Sequence, residues 1–504
     1  KNCPPGTALL PTLQQSLHFA AQVDAKKKAW LAATVHEERA VERVSEGLDE
    51  ALREGLLRGL TQPRRFLASA AAKEMRGAVS MDLWKDGAGE FKPFPVTPEA
   101  SQKLTVCLLS SGYLPEKNGG IARFTHDLAC GLAARGHVVH VLTASTTGRN
   151  SVGFENDVWV HRLAPAVQVA APPSGIPVAQ PIWRHSATML RELHRIRTMR
   201  PIDLVEAPLW DAEGIAAVLD GSFRVVTWLQ TPLKSWIETN LSLVNGSRAQ
   251  QQFFQDQVAA ETLVMERAGG IRACSQAIVN TIEESYGVAL RHDRLAIIPL
   301  GMEDRSHGAD LRRADDFVDI LFTGRFERRK GIDVLFEAIP ALCLRHPKVR
   351  FIMAGEEALM PGGLSLRERF RESLAAAPFR DRVVLAGKVS DEELERYLAR
   401  CDIYVAPSRY ESFGLVFLEA MMFGKPAIGC RAGGMPEVIE DGVTGLLAEP
   451  GDAGSLIAAL ERLIVDRALR QHLGEAARRR YLARYTRDHL IDRTLEFYRR
   501  VLGS

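Results

Sequence analysis

A buried strand that turns through a glycine into an apolar helix, at residues 402–426, constrains the fold of this chain more than any other segment. The strand ends near residue 406, and Gly414 precedes the apolar run that starts at Leu415. A glycine there leaves the first N–H groups of the helix free, and such a terminus binds phosphate. Glu411 lies before the turn, and Glu419 lies in the second helical turn. Their carboxylates are good acceptors for hydrogen bonds from hydroxyl groups. The pattern predicts a sugar-nucleotide ligand; the alternative is an ordinary helix start with two solvated acids.

A second strand–turn–helix unit, at residues 317–338, carries cations in its turn. Arg325 follows the strand directly, and Lys330 lies just before the helix. Ligands of open α/β sheets bind at the carboxyl ends of the strands, and cations there neutralise the charge of a departing diphosphate. The alternative is a solvated basic turn, and this is the prediction for Arg328 and Arg329.

Length and composition indicate an ordinary globular protein of two or three domains. The 504 residues are 46% hydrophobic and 25% charged, and the net charge of +2 gives no basic field that would favour nucleic acid. Seven cysteines are scattered without a Cys-x-x-Cys pair, which fits reduced thiols in a cytoplasmic protein. No segment approaches the roughly 20 apolar residues of a membrane-spanning helix. The sequence leaves open whether the protein also binds peripherally to a membrane.

Residues 1–85 are predicted to form a helical extension, joined to the rest by a linker rich in glycine and proline at 86–102. One face of the extension carries an apolar stripe with three- and four-residue spacing. The stripe consists of Val41, Val44, Leu48, Leu52, Leu56 and Leu60. Two interpretations of residues 1–83 remain open: a helical hairpin packed on the neighbouring domain, or a helix for oligomerisation or partner binding.

Strands alternate with helices from residue 103 to residue 480, which predicts an α/β fold of two doubly wound domains. The first domain, 103–290, opens with a continuous apolar strand at 104–110, a glycine turn and a helix. The second domain, 291–480, is predicted to begin with a strand at 295–298. An arginine-rich C-terminal helix is predicted at 481–504.

The pair Glu411 and Glu419, with seven residues between them, closely resembles the signature of retaining glycosyltransferases with the GT-B fold, family 4 or glycosyl transferases group 1. Arg325 and Lys330 resemble the phosphate-binding pair of the same family. The resemblance covers residues 103–500. It implies two Rossmann-like domains that face each other across a cleft, the first for the acceptor and the second for the donor.

The resemblance also implies roles for the residues of the cleft. Arg325 and Lys330 would stabilise the diphosphate of a nucleotide-sugar donor, Glu411 would bind the donor sugar and Glu419 the ribose. Donor-binding positions would also include the following: Ser412, Phe413, Gly414, Leu415, Gly119 and Gly120. The last two resemble the glycine loop that closes over the diphosphate. Neither a metal ion nor another cofactor is expected, because cations and a helix terminus can stabilise the leaving group.

Three residues of the first domain are predicted to contact a hydroxyl-bearing acceptor or the sugar: Glu206, Trp210 and Gln230. For Glu206 and Trp210, a strand end with a rim aromatic is an equally good interpretation. Related enzymes commonly carry histidine where this chain has Gln230, and glutamine cannot take a proton. The family's usual proposal, in which the departing diphosphate takes the acceptor proton, needs no base there. The acceptor would be a glycan, a glycolipid or another glycoconjugate precursor. The alternative is a non-catalytic nucleotide-sugar sensor or scaffold.

Overall fold

The computed structural model describes residues 103–117, 119–239, 247–306, 316–357 and 365–503. The predicted helical extension and the linker lie outside the described residues. Within the described part, no helix is both long enough and apolar enough to cross a membrane.

An eight-stranded sheet forms the core of the first domain. Its strands are β1 Thr105–Ser110, β2 Val138–Ala144, β3 Ser151–Glu155, β4 Val158–Leu163, β5 Leu204–Pro208, β6 Val225–Trp228, β7 Gly270–Ala273 and β8 Leu295–Ile297. The helices are α1 Gly120–Ala134, α2 Gln180–Met199, α3 Ile215–Asp220, α4 Leu233–Thr239, α5 Arg248–Arg267 and α6 Gln276–Tyr286. The strand order is β3-β4-β2-β1-β5-β6-β7-β8, and only the β3–β4 pair is antiparallel. β1 is buried along its whole length, as expected of a parallel strand covered on both faces.

A six-stranded parallel sheet forms the core of the second domain. Its strands are β9 Val318–Thr323, β10 Val349–Ala354, β11 Val383–Gly387, β12 Ile403–Val405, β13 Ala427–Cys430 and β14 Gly445–Ala448. The helices that follow α6 are α7 Ile332–Arg345, α8 Leu366–Leu374, α9 Asp391–Arg400, α10 Leu415–Met422, α11 Met435–Val438, α12 Ala453–Val465, α13 Arg467–Arg484 and α14 Arg487–Gly503. The strand order is β11-β10-β9-β12-β13-β14. The prediction of two doubly wound α/β domains is confirmed.

The strand at 295–297 belongs to the first sheet, not to the second domain as predicted. It pairs in parallel with β7, where Ile271 lies opposite Leu295. Three apolar residues do not specify which sheet they extend, so the sequence pattern alone could not assign this edge strand. The first sheet therefore ends at Ile297, beyond the boundary predicted at residue 291.

The C-terminal helix α14 returns to the first domain and packs against α1. On the surface, Arg135 forms ion pairs with Asp488 and Asp492, at N–O distances of 3.0 and 2.5 Å. Gly270 on β7 approaches the same helix closely, since a Cβ atom there would lie 2.8 Å from a side-chain carbon of Val501. The chain thus crosses from the second domain back to the first before it ends.

A buried ion pair lies beneath α14 and corrects the prediction for Glu206. Its carboxylate pairs with Arg272 on β7 and accepts a hydrogen bond of 2.5 Å from the Tyr498 hydroxyl. The Arg272 side chain is fully buried, with its guanidinium 4.5 Å from the ring centre of Phe124. Glu206 is only 3% exposed. Its carboxylate is therefore occupied in the core and does not contact an acceptor.

Candidate active site

The two glycine turns of the second domain lie side by side at the carboxyl edge of its sheet. β9 and β12 are neighbours, with Ile320 opposite Ile403, so the loops that follow them meet. Gly331 makes the contact possible: its φ is 67°, and a Cβ atom there would lie 1.8 Å from the carbonyl oxygen of Pro407. The Arg409 N–H donates to the Arg329 carbonyl at 2.8 Å and joins the loops further. This packing brings the two predicted site segments together.

Lys330 and Glu411 form a close ion pair between these loops. Lys330 Nζ lies 2.5 Å from Glu411 Oε1, and the Ser408 hydroxyl donates to the same oxygen at 2.9 Å. Glu411 is 8% exposed. Burial alone would raise its pKa, but the charges of Lys330 and Arg329 and the hydrogen bonds from Lys330 and Ser408 bring the pKa below its ordinary value. The carboxylate is therefore ionised and able to accept hydrogen bonds from hydroxyl groups.

The three arginines of the first loop have different surroundings. Arg325 is 58% exposed, with a 3.3 Å contact to Glu327, and Arg328 is 70% exposed, as predicted. The prediction of a solvated Arg329 is wrong. Its side chain is 12% exposed, bonds Glu327 at 2.8 Å and lies 3.7 Å from Glu411 Oε2. Arg329 is thus a second cation beside Glu411, a role that depends on the neighbouring loop and leaves no mark in the local sequence.

Helix α10 begins with free N–H groups next to this ion pair. Gly414 occupies the N-cap with a φ of 97°, and no side chain caps the helix. Among the described residues, the N–H groups of Leu415 and Val416 have no hydrogen-bond acceptor. Free N–H groups and the helix dipole favour an anion at this position.

Ser412 and Phe413 hold the turn in place. The Ser412 carbonyl accepts a 2.6 Å hydrogen bond from the Ser275 hydroxyl of the first domain. Phe413 is 3% exposed and packs edge-to-face against Tyr485, with ring centres 5.9 Å apart. The Phe413 ring is therefore a packing group, and any donor contact at this position falls to its backbone.

Glu419 is buried and lies within electrostatic reach of charges from both domains. It is 7% exposed. Burial raises its pKa, and the positive charges of Arg123 on α1 and of Arg305 oppose this rise, while Asp391 and Asp127 add to it. The net result is a pKa above the ordinary value of a glutamate, with burial as the main cause.

Acidification is expected to weaken donor binding at a higher pH than an ordinary glutamate would cause. A protonated Glu419 loses its charge-assisted hydrogen bonds to ribose hydroxyls, and its pKa lies above the usual value of about 4.3. The donor KM should therefore rise as the pH falls through this raised pKa. Initial rates with an intact nucleotide sugar, from about pH 4 to 8, measure the effect. The Glu419→Gln variant should bind the donor more weakly, but its donor KM should not rise in this way at low pH. The same rise in that variant would contradict the assignment of Glu419 to the ribose.

The Gly119–Gly120 turn opens α1. Apart from chain neighbours and the backbone of the helix itself, no atom of the described residues would lie within 4 Å of a Cβ atom at either glycine. One helical turn later, Arg123 contacts Asp391 of the second domain at 2.9 Å. The turn therefore lies on the side of the first domain that faces the second.

Gln230 and Trp210 lie together at the carboxyl edge of the first sheet. Gln230 Oε1 accepts hydrogen bonds from the N–H groups of Leu209 and Trp210, at 3.1 and 3.2 Å. Its Nε2 is buried and has no hydrogen-bond partner among the described residues. The rings of Trp210 and Trp236 pack edge-to-face, with their centres 6.4 Å apart. The Trp236 ring also contacts that of Phe254, at 6.0 Å between centres. Phe254 lines an apolar cavity of about 790 Å³. Gln230 thus positions the Trp210 loop and retains one unused donor.

Within the described ranges, no group of three or more histidine, cysteine, aspartate or glutamate side chains could hold a metal ion. Two candidate functional residues that the sequence analysis did not assign to the site are arginines. Arg329 lies 3.7 Å from Glu411, and the positive charge of Arg123 acts on Glu419. The position of Arg123 one turn after the glycine turn was the available signal.

Comparisons with known proteins identify the family of this chain. Residues 305–480 match the family described as Glycosyl transferases group 1, and residues 119–301 match the Glycosyl transferase 4-like domain. The chain is 30% identical over 377 residues to D-inositol 3-phosphate glycosyltransferase from Pseudarthrobacter chlorophenolicus, covering 71% of this chain and 85% of the relative. It is 27% identical over 406 residues to glycogen synthase from Mycobacterium tuberculosis, covering 78% and 94%.

Solved structures confirm the GT-B fold. Sucrose-phosphate synthase from Thermosynechococcus elongatus matches with a TM-score of 0.65 and 21% identity, covering 80% of this chain and 100% of that one. HepE from Anabaena, solved in complex with UDP-glucose, matches with a TM-score of 0.58 and 19% identity, covering 78% and 98%. The chain therefore belongs to the glycosyl transferases group 1 family and is a glycosyltransferase.

Proposed function

We propose that this chain transfers a sugar from a nucleoside diphosphate sugar to a hydroxyl of a glycan, glycolipid or other glycoconjugate precursor, with retention at the anomeric carbon. The observation that carries the proposal is the Lys330–Glu411 pair, 2.5 Å apart, beside the uncapped N-terminus of α10. The cation and the free N–H groups supply the positive potential that a departing diphosphate needs. The buried carboxylate supplies an acceptor for sugar hydroxyls.

The donor is assigned mainly to the second domain. The diphosphate would lie between the N–H groups of Leu415 and Val416 and the cations Lys330 and Arg325. Arg325 is exposed enough to turn from Glu327 toward a ligand. Glu411 would hold a donor-sugar hydroxyl through Oε2, since Oε1 already accepts from Lys330 and Ser408. No metal ion or other cofactor is required in this scheme.

In the proposed reaction, the acceptor attacks the face of the sugar from which the diphosphate departs. The bond between C1 and the diphosphate oxygen breaks, and a bond between C1 and the acceptor oxygen forms on the same face. The acceptor proton passes to the departing diphosphate oxygen. Gln230 supports this route because its amide cannot take a proton and its Oε1 is already bonded to two N–H groups.

A panel of uridine, guanosine and adenosine diphosphate sugars tests the proposal. Incubation with each donor, followed by mass spectrometry, should reveal slow donor hydrolysis without acceptor for one base. UDP-glucose is the first donor to test, because HepE was solved with it. Proton NMR of the early product should show the anomeric configuration of the donor. An inverted product would contradict retention, and tight binding without turnover across plausible acceptors would favour a sensor.

Replacing Gln230 with alanine is expected to lower the rate by about one to two decades, or about 1–3 kcal/mol. The cost is that of its hydrogen bonds, not of a missing base. Gln230→His should keep substantial activity, because imidazole also forms hydrogen bonds. It should add no acidic limb near the imidazole pKa of about 6.5. A pH–rate profile of the three forms, with one donor and one acceptor, measures both expectations.

The opposite result for Gln230→His would identify a degenerate enzyme. If histidine raised turnover by many orders of magnitude from almost nothing, the natural chain would have lost its base, and the sensor interpretation would hold. Thr231→Ser is a matched control, because it conserves the hydroxyl of the adjacent residue, whose oxygen lies 3.4 Å from that of Ser412. Its rates should stay close to those of the natural chain.

A further inference from the structure

An ion pair joins the two domains beside the glycine turn. Arg123 lies on α1, three residues after Gly120, and its NH2 nitrogen lies 2.9 Å from both carboxylate oxygens of Asp391. Asp391 is the first residue of α9. The Arg123 side chain is 15% exposed and that of Asp391 is 46% exposed. A rigid helical turn therefore links the glycine turn to a fixed point on the second domain.

A separate group of bonds joins the domains at another place. The Glu437 carboxylate accepts the N–H groups of Gln276 and Ala277 at 2.9 and 2.7 Å, and the Ser275 hydroxyl donates to the Ser412 carbonyl. All three first-domain residues follow β7. β1, which leads into α1, lies three strand positions from β7, or about 14 Å. Two anchors this far apart restrict the rotation between the domains more than the β7 anchor would alone.

The anchor at Arg123 also neighbours the carboxylate assigned to the ribose. Arg123 and Asp391 are both among the charges that act on Glu419. A break in this pair would therefore displace the glycine turn and change the electrostatic surroundings of the donor at the same time.

We propose that Arg123 and Asp391 form a closure latch, an ion pair that forms when the domains close and positions the Gly119–Gly120 turn over the donor. The proposal rests on the donor site proposed above. Both are positioning residues: neither needs to touch the reacting atoms. Because the pair is partly exposed, its loss should change closure more than global stability.

Kinetics of three variants test the latch. Arg123→Gln and Asp391→Asn should each raise the donor KM at pH 8 by about fivefold to thirtyfold, equivalent to about 1–2 kcal/mol. Their kcat values should stay within about threefold, and their unfolding temperatures within about 2 °C. The swapped pair, Arg123→Asp with Asp391→Arg, should restore the KM to within about threefold, because it keeps the ion pair and the net charge. The latch proposal is wrong if the donor KM is unchanged in either single variant. It is also wrong if the donor KM of the swapped pair is as high as that of the single variants.

The rise of the donor KM at low pH, the acid limb of donor binding, distinguishes loss of the latch from a general loss of structure. The charges with the largest effects on the pKa of Glu419 are those of Arg123 and Asp127 on α1, of Asp391 on α9, and of Arg305. Arg123→Gln removes a positive charge and should move the limb to higher pH, whereas Asp391→Asn removes a negative charge and should move it to lower pH. Structural damage would not move the two limbs in opposite directions. Shifts in the same direction would contradict the arrangement of charges.

Small-angle scattering tests closure without any activity. In low salt and without ligand, Asp391→Asn should have a larger radius of gyration than the natural chain. Glu461→Gln, which breaks a 2.5 Å pair with Arg345 inside the second domain, should not. Equal radii for all three would overturn the latch. If no donor is turned over but Asp391→Asn still expands, the proposed function fails while the latch stands.

Discussion

Replacing Lys330 with alanine is expected to lower kcat by about 10²–10³-fold while raising the donor KM by less than about tenfold. The charge of Lys330 is matched to the diphosphate oxygen that gains charge as the sugar bond breaks, so its loss affects the transition state more than the bound donor. The same change leaves the buried Glu411 without its closest cation. Initial rates over a range of donor concentrations separate the two parameters.

Arg328→Ala is the matched control for this prediction. Arg328 lies two residues from Lys330, in the same loop and with the same charge, but its side chain is 70% exposed. It should change kcat by no more than about twofold, because screening weakens the effect of an exposed charge. If Lys330→Ala kept near-normal turnover, the leaving-group role would be wrong.

Glu206→Gln is expected to destabilise the folded chain by about 3–5 kcal/mol. The change leaves the fully buried guanidinium of Arg272 without its carboxylate partner. Donor binding should be unaffected in the molecules that remain folded, since Glu206 is enclosed in the core. Urea unfolding, followed by tryptophan fluorescence, measures the loss as a lower midpoint.

Two further variants sharpen the measurement on Glu206. Asp293→Asn breaks a 2.5 Å pair with Arg291 in which both side chains are more than half exposed, and it should leave the midpoint nearly unchanged. Glu206→Leu combined with Arg272→Met removes both charges and should cost less than Glu206→Gln alone. A single Glu206 variant as stable as the Asp293 control would show that the ion pair is not the source of the stability.

The strand–turn–helix units of the second domain could be predicted because they are local. Glu411, Gly414 and Glu419 lie within one segment, and parallel strands place their carboxyl ends at one edge. The meeting of Lys330 with Glu411 followed from this rule, although their 2.5 Å separation could not be read from the sequence. Short-range patterns therefore predicted which segments of the second domain meet at the carboxyl edge of its sheet, while the roles of their side chains stay predictions.

The predictions that failed concern residues whose partners are distant in the chain. Arg329 looked like a solvated cation until the loop around Glu411 enclosed it. Glu206 looked like a rim carboxylate because its partners Arg272 and Tyr498 lie 66 and 292 residues away. The strand at 295–297 carried no information on which sheet it joins. Such assignments depend on long-range contacts, which single-sequence patterns do not report.

The path of α14 has a consequence for the order in which the molecule is built. Tyr498 reaches Glu206 only after the ribosome has made the whole of the second domain between them. Until then, the nascent first domain would hold Arg272 under an open face at Gly270, where Phe497 and Val501 later pack. The domain that is translated earlier is therefore the one completed later. During synthesis its uncovered face would be a natural target for chaperones, and a chain that stopped before residue 487 would leave the first domain without α14.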